Sequence, residues 1–303
     1  MRIGYAIDLH GTAAGVAEVA WPRLREQALV AEQIGIDLVV VPDHLRYAAG
    51  GDGDYAREDV AVGAWESFTI ATALAVATTT IGIGHSMLNM PYRAPALVAH
   101  AAMSLDAVSG GRYSLGVGSG NSFDYDALGV DATNRAHRFA EALPVITGLL
   151  RGEHLTQHGR HITVEDAEVV LRGPRSQGPP VVVAAGGPRA MRLAATHGDA
   201  WNGWVATDPD HAALRDLLAE LQIACQEVGR DPTTLGRTVD LGIDPLDLEG
   251  GADRSRAALL ALADLGIDEV RCYPSHDGTH ASRVRALQAM APLVAEVHAA
   301  EPA

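Results

Sequence analysis

The feature that most constrains this chain is a strict alternation of short β-branched runs with longer Ala/Leu-rich segments. The pattern predicts strands over residues 3–7, 37–41, 80–88, 113–117, 180–185, 200–204, 237–242 and 268–272. It predicts helices over 22–35, 65–78, 96–109, 135–151, 189–197, 211–228, 254–265 and 282–299. Pro22 suits a first helical turn and Gly35 a C-terminal stop. Leu38-Val39-Val40-Val41 is continuously apolar, as expected of a strand covered on both faces. Strands joined by helical crossovers run parallel. Eight such units match a single α/β domain over 1–303, the closed (β/α)8 TIM barrel, with an open doubly wound sheet as the alternative. Two insertions break the rhythm. One covers 44–64, after the second strand. The other covers 152–178, after the fourth helix, where Ile162-Thr163-Val164 and Val169-Val170-Leu171 suggest a small hairpin.

Composition narrows the class. Hydrophobic residues make up 48% of the 303, but aromatics only 5%, so Ala, Val, Leu and Ile carry the packing. The net charge of −15 argues against non-specific nucleic-acid binding and against adhesion to an anionic membrane. An anionic cofactor would therefore need local groups to hold it. Cys225 and Cys272 offer neither a disulfide framework nor a metal site. The N-terminus lacks a basic-then-apolar signal pattern, and no apolar run reaches the roughly 18 residues of a membrane span. The expected location is the cytoplasm and the expected partner a small-molecule substrate.

Barrel enzymes place their reactive groups where strands end. The second strand ends in Val41-Pro42-Asp43-His44, which puts Asp43 and His44 on that rim. A histidine there can exchange a proton near neutral pH; the plain alternative is that Asp43 only stabilises the turn. The third and fourth strands carry Gly82, Gly84, Gly116, Gly118 and Gly120 at alternate positions. Such glycines clear one strand face for a flat ring, or equally serve tight packing inside the barrel. Val181-Val182-Val183-Ala184-Ala185-Gly186-Gly187-Pro188-Arg189 runs from a strand through two glycines into a helix. Exposed backbone N–H groups, a helix N-terminus and Arg189 together suit a phosphate; the plain alternative is an ordinary strand-to-helix turn. His154, His158 and His161 fall in the hairpin insertion without a carboxylate pattern, so no metal is assigned. Trp201 and Trp204 wall a pocket or belong to the core.

At these residues the sequence resembles the luciferase-like flavin and deazaflavin oxidoreductases over nearly its whole length. The matching stretches are Gly35-Ile36-Asp37 through Pro42-Asp43-His44, and Asn89-Met90-Pro91-Tyr92-Arg93-Ala94-Pro95. Leu105-Asp106 to Arg112, Leu115-Gly116-Val117-Gly118, Gly159-Arg160-His161, Ala184 to Pro188 and Gly198-Asp199-Ala200-Trp201 complete the set. The likeness is greatest to the branch that uses coenzyme F420, a deazaflavin, with FMN as the alternative. It implies the barrel and hydride or oxygen chemistry at the rim. By resemblance His44 is the proton donor or substrate anchor, and Asp43 contacts the cofactor headgroup. Ser86 and Met87 form a bulge behind the ring across a cis peptide. Asn89, Ser119, Gly120, Asn121 and Asp124 line the ring and its chain, and Gly186, Gly187, Arg189 and Ala190 hold the phosphate.

The departures from that branch concern the substrate. A sugar-phosphate dehydrogenase of the branch has its glutamate base where this chain has Asn121, and an amide cannot act as a base. Its substrate-phosphate threonine and lysine fall at Trp204 and Thr207, so a sugar phosphate is not expected and Trp204 implies a flatter, more apolar substrate. An arginine that binds the phosphate of FMN in the luciferase branch falls at Ser119. The expectation is an F420-dependent oxidoreductase, a homodimer as relatives often are. An FMN-dependent two-component monooxygenase and a non-catalytic flavin-binding barrel protein are the competing readings.

Overall fold

The structure, a computed structural model, describes residues 1–53, 56–121, 124–131, 133–205, 211–241, 251–273 and 279–299. Its barrel strands are β1 (Arg2–Ala6), β2 (Leu38–Val41), β3 (Gly82–His85), β4 (Tyr113–Gly118), β5 (Val181–Ala184), β6 (Ala200–Val205), β7 (Gly236–Leu241) and β8 (Glu269–Cys272). The helices that alternate with them are α1 (Trp21–Gln33), α2 (Ser67–Ala77), α3 (Pro95–Ser109), α4 (Arg135–Arg151), α5 (Pro188–His197), α6 (Ala212–Glu227), α7 (Gly251–Asp264) and α8 (His280–Ala299). Each strand pairs in parallel with the next. β8 returns to β1 through the register Arg2↔Glu269 to Tyr5↔Cys272. The sheet thus closes on itself, and the open-sheet alternative is excluded.

The helices pack through small residues. α3 starts with Pro95 in its first turn, ends at Gly110 in the left-handed region (φ 67°), and buries Val98, Ala99, Ala102 and Met103. Proline at the start and glycine just past the end follow from the missing proline N–H and the missing glycine Cβ. The aliphatic core lies between this helical ring and the strands. Among the described residues no helix is long and apolar enough to cross a membrane.

Two sequence expectations need correction. The predicted strand over 80–88 is broken after His85. Gly84 faces Ser114 and Leu88 faces Val117, so four steps on one strand match three on its neighbour. The extra residue sits at Ser86 and Met87, whose peptide bond is cis. Gly116 makes room for this bulge, because a Cβ there would lie 1.9 Å from the His85 carbonyl oxygen and 2.7 Å from Met87 Sδ. The hairpin also has other strands than expected. Leu155–His158 pairs with Thr163–Ala167, while Val170 and Leu171 are exposed and outside it. Its turn is held by Glu141 on α4, whose carboxylate accepts from the N–H groups of His161 (2.7 Å) and Ile162 (2.8 Å). In the other insertion, Arg46–Tyr47 and Val62–Ala64 pair with each other, and Val62–Ala64 also pairs with His10–Gly11.

A second carboxylate staples α1 to the entry of β3. Glu32 accepts from the N–H groups of Thr79 (2.8 Å), Thr80 (2.6 Å) and Ile81 (3.0 Å). Burial opposes its charge, but the N–H groups of Thr80, Ile81 and Thr79 outweigh burial and bring the carboxyl down to about 2. A folded-state pKa below the unfolded one contributes stability above the unfolded value, lost as pH falls through the folded value. The Glu32 contribution is therefore complete above pH 4.5 and disappears toward pH 2. Urea midpoints at neutral pH and at about pH 3 test this: Glu32→Gln should narrow the gap between the wild-type midpoints.

Candidate active site

A cavity of about 510 Å³ opens at the C-terminal ends of β2 to β7. Asp43 and His44 enter it from β2, and Ser86, Met87, Leu88 and Asn89 from the broken end of β3. Gly118, Ser119, Gly120 and Asn121 follow from β4, and Ala184, Ala185 and Gly186 from β5. Asn202, Gly203 and Trp204 on β6, Leu217 on α6 and Asp240 on β7 close the far side. A smaller cavity of about 290 Å³ involves Arg215, Gln222 and Arg237 at the opposite, N-terminal end of β7, where barrel residues serve stability.

The Asp43 carboxylate is fully buried. It accepts from Arg93 Nη1 (2.6 Å) and Nη2 (3.0 Å), from Ser67 Oγ (2.6 Å) and from the Asn89 N–H (2.7 Å). Those four contacts occupy its acceptor positions. The carboxylate thus anchors the wall from behind, instead of presenting a free acceptor to a headgroup. Burial pushes the Asp43 carboxyl up, against the pull of Arg93, Ser67 and the Asn89 N–H. Burial alone would lower the Arg93 pKa, but Asp43 and Glu66 outweigh it and raise it. His44, next in the chain, is half-buried and its ring lies 5.8 Å from that of Tyr47.

Asn89 sits behind the β3 bulge, 2% exposed. Its Oδ1 accepts from Tyr125 Oη, and its Nδ2 is buried without an acceptor. Gly120 is required here twice over. Its φ is +80°, and a Cβ would lie 2.0 Å from Tyr125 Oη and 2.1 Å from Asn89 Oδ1. Asp124 is placed differently from the expectation. It is buried outside the cavity lining, accepting from the N–H groups of Leu45 (2.9 Å) and Arg46 (3.1 Å) and from Tyr92 Oη. Its carboxylate holds the segment after His44 in place.

Gly186 and Gly187 have a different reason to be glycine. Neither has a positive φ, and a Cβ on either would meet no atom within 4 Å. Packing and backbone conformation therefore do not demand glycine, and the backbone at both positions is unobstructed. Gly187 is the N-cap of α5 and provides no side-chain cap, which leaves first-turn N–H groups for a ligand. Arg189 is exposed on that turn and Ala190 half-buried beside it; with Gly187 they continue beyond the cavity lining.

On the far side the sequence singles out Trp204 but not Asp240 or Asn202. Asp240 accepts from Ser86 Oγ (2.9 Å), Asn202 Nδ2 (3.1 Å) and Tyr273 Oη (3.3 Å). Behind it, buried Arg271 donates to Ser86 Oγ (3.0 Å) and Glu269 (2.8 Å). A carboxylate within the otherwise apolar run Val239-Asp240-Leu241, near a strand end, is a readable signal for this residue. The two tryptophans divide. Trp201 is core, with Nε1 donating to the Ala185 carbonyl (2.8 Å), and Trp204 is a cavity wall with its ring 5.7 Å from Tyr273. Thr207 lies outside the described residues. His154 and His158 pair with Asp166 (2.6 Å) and Glu165 (3.3 Å) on the exposed hairpin.

The sequence model of the luciferase-like monooxygenases matches residues 1–244. The chain belongs to that family. Among its luciferase-like relatives, 4-hydroxyprotoasukamycin monooxygenase from Streptomyces nodosus subsp. asukaensis is 36% identical over 174 residues, covering 56% of this chain and 46% of that one. The chain thus spans less than half the length of that relative. An F420-dependent glucose-6-phosphate dehydrogenase from Kineococcus radiotolerans is 30% identical over 247 residues, covering 78% of this chain and 69% of that one. The monooxygenase RslO1 from Streptomyces bottropensis shares the fold, with a TM-score of 0.75 over 98% of this chain and 100% of its own at 16% identity.

In this luciferase-like barrel, removing one partner of the buried Arg93–Asp43 pair leaves an uncompensated charge. Arg93→Ala should therefore cost about 3 kcal/mol of stability in a urea titration, well above an exposed substitution such as Arg192→Ala.

Proposed function

We propose that this chain is an F420-dependent oxidoreductase that moves a hydride between the deazaflavin and a small organic substrate. One arrangement carries the reading: a buried amide donor without an acceptor, Asn89 Nδ2, on the wall of a cavity that leads to the uncapped, glycine-fronted start of α5. The two features suit the carbonyl edge of a flavin-like ring and the phosphate of its chain. Asn89 would donate to the ring. Ser119, Gly120 and Asn121 would flank the ring and its chain, against Ser86 and Met87. Gly186, Gly187 and the first-turn N–H groups of Arg189 and Ala190 would hold the phosphate, with the Arg189 guanidinium adding charge. Relatives named as F420-dependent support the deazaflavin, as does Ser119, where resemblance to the FMN branch calls for an arginine.

When bound, the deazaflavin supplies a carbon that gives or takes hydride. The protein supplies position and protons. His44 would give a proton to a substrate carbonyl, or take one from a hydroxyl, through its imidazole. Asp43, by fixing the end of β2 and the Asn89 backbone together, would set the distance between His44 and the ring. Asn121 lines the cavity without exchanging protons.

A second reading has a specific support, the 36% identity to a monooxygenase. There the same cavity would take FMN. Separate fluorescence and absorbance titrations with F420 and FMN decide: saturable F420 binding in the low micromolar range is expected, and binding of FMN alone transfers the reading to the monooxygenase. Gly187→Ala should leave the melting temperature unchanged yet weaken F420 binding by about tenfold, since a methyl group enters the phosphate cradle. His44→Ala should bind F420 as the wild type does and lose about a hundredfold in turnover of any substrate the wild type accepts.

A further inference from the structure

The proposed cofactor contacts use the β2 to β5 side of the cavity and leave β6, β7 and α6 for substrate. Resting on that reading, we infer that the substrate is an uncharged organic molecule with a flat or apolar body and a hydroxyl or carbonyl group, and that Asp240 excludes anions.

The charge distribution supports this. All 23 basic side chains of the chain are arginine; there is no lysine. Among the described residues, none of those arginines lines the cavity. The two that approach from behind are committed elsewhere. Arg93 is held by Asp43 and Glu66, and Arg271 by Glu269 and Ser86. Arg189 lies at the other end, on the turn assigned to the phosphate. Asp240 is thus the acidic group on the substrate side, buried where water screens it poorly; burial pushes its carboxyl up, while Arg271 and the donors Asn202, Ser86 and Tyr273 pull it down and favour the carboxylate. A phosphate or carboxylate substrate would meet Asp240 and, among the described lining residues, no arginine to pair with.

The apolar and polar contacts agree. Trp204 is 56% exposed for so large a ring, sits edge-on to Tyr273, and shares the cavity with Leu217. Such a wall fits the face of a flat or apolar body. The polar groups beside it are acceptors. The Asn202 amide already donates to Thr238 Oγ1 (3.0 Å) and Asp240, and Asp240, which also accepts from Ser86 and Tyr273, has one acceptor position left for a hydroxyl. His44 lines the opposite wall.

Isothermal titration with 1-phenylethanol, acetophenone and benzoate tests the inference on protein with and without its cofactor. The two neutral probes should bind saturably and benzoate at least about tenfold more weakly, the like charge at Asp240 accounting for the gap. Trp204→Ala should weaken the neutral probes. Asp240→Asn, checked for folding by circular dichroism, should bring benzoate to within about threefold of them, and a folded variant that keeps the full gap overturns the role of Asp240. Benzoate binding as tight as that of the neutral probes, or no saturable binding of either neutral probe, overturns the inference on wild-type protein alone. The cofactor titrations fail separately. Cofactor binding without the neutral-probe preference sinks this inference only, and the preference in a protein that binds neither F420 nor FMN sinks only the cofactor assignment.

Discussion

The site depends on one buried carboxylate. Asp43 stands where β2 ends, and its donors come from three other places: Ser67 at the start of α2, the Asn89 N–H beyond the β3 bulge, and Arg93 just before α3. A single acceptor pair therefore locks two strand ends and two helix entries together. Desolvating such a charge costs several kcal/mol, and only complete hydrogen bonding offsets it. Glu66 adds to this clamp from the rim. Its carboxylate binds Arg93 (2.6 Å) and caps α2 by accepting the Thr69 N–H (2.8 Å). His44 and Asn89 inherit their positions from this arrangement.

A second polar construction braces the opposite wall from inside the barrel. TIM-barrel interiors are usually filled by branched apolar side chains. Here Arg271, 1% exposed, spans from Glu269 to Ser86, and Ser86 in turn donates to Asp240. Glu269 also meets Arg2 (3.0 Å), which reaches solvent at the N-terminal end of the barrel. Burial alone would lower the Arg271 pKa, but Glu269 and Asp240 outweigh it and raise it. Tyr273 completes the brace, its one hydroxyl hydrogen shared between the Ser86 carbonyl (3.1 Å) and Asp240 (3.3 Å). The β3 bulge is thus gripped from β7 and β8, across the barrel from its own strand neighbours.

Much of this was legible one segment at a time. Residues Asp43, His44, Ser86, Met87, Asn89, Ser119, Gly120, Asn121, Gly186 and Trp204 were all placed at strand ends from sequence, and the cavity gathers them. Gly116 and Gly120 answer to close packing, whereas Gly186 and Gly187 leave open space. Asp124 lies elsewhere because a carboxylate six residues past a strand reads the same whether it faces a ligand or a backbone. The hairpin went astray because Leu155-Thr156-Gln157-His158 is too polar to stand out as a strand.

Sequence by itself determined the alternation of strands and helices, the parallel sense of the sheet and the set of residues at the strand ends, since each follows from periodicity and turn chemistry among chain neighbours. Tertiary structure alone decided closure, the break at Ser86 and Met87, and the work of Asp43 and Asp240. Ser86 and Asp240 are 154 positions apart, and Asp43 and Arg93 are 50. No local pattern encodes such a meeting, because what a buried carboxylate does depends on which donors the closed barrel brings to it.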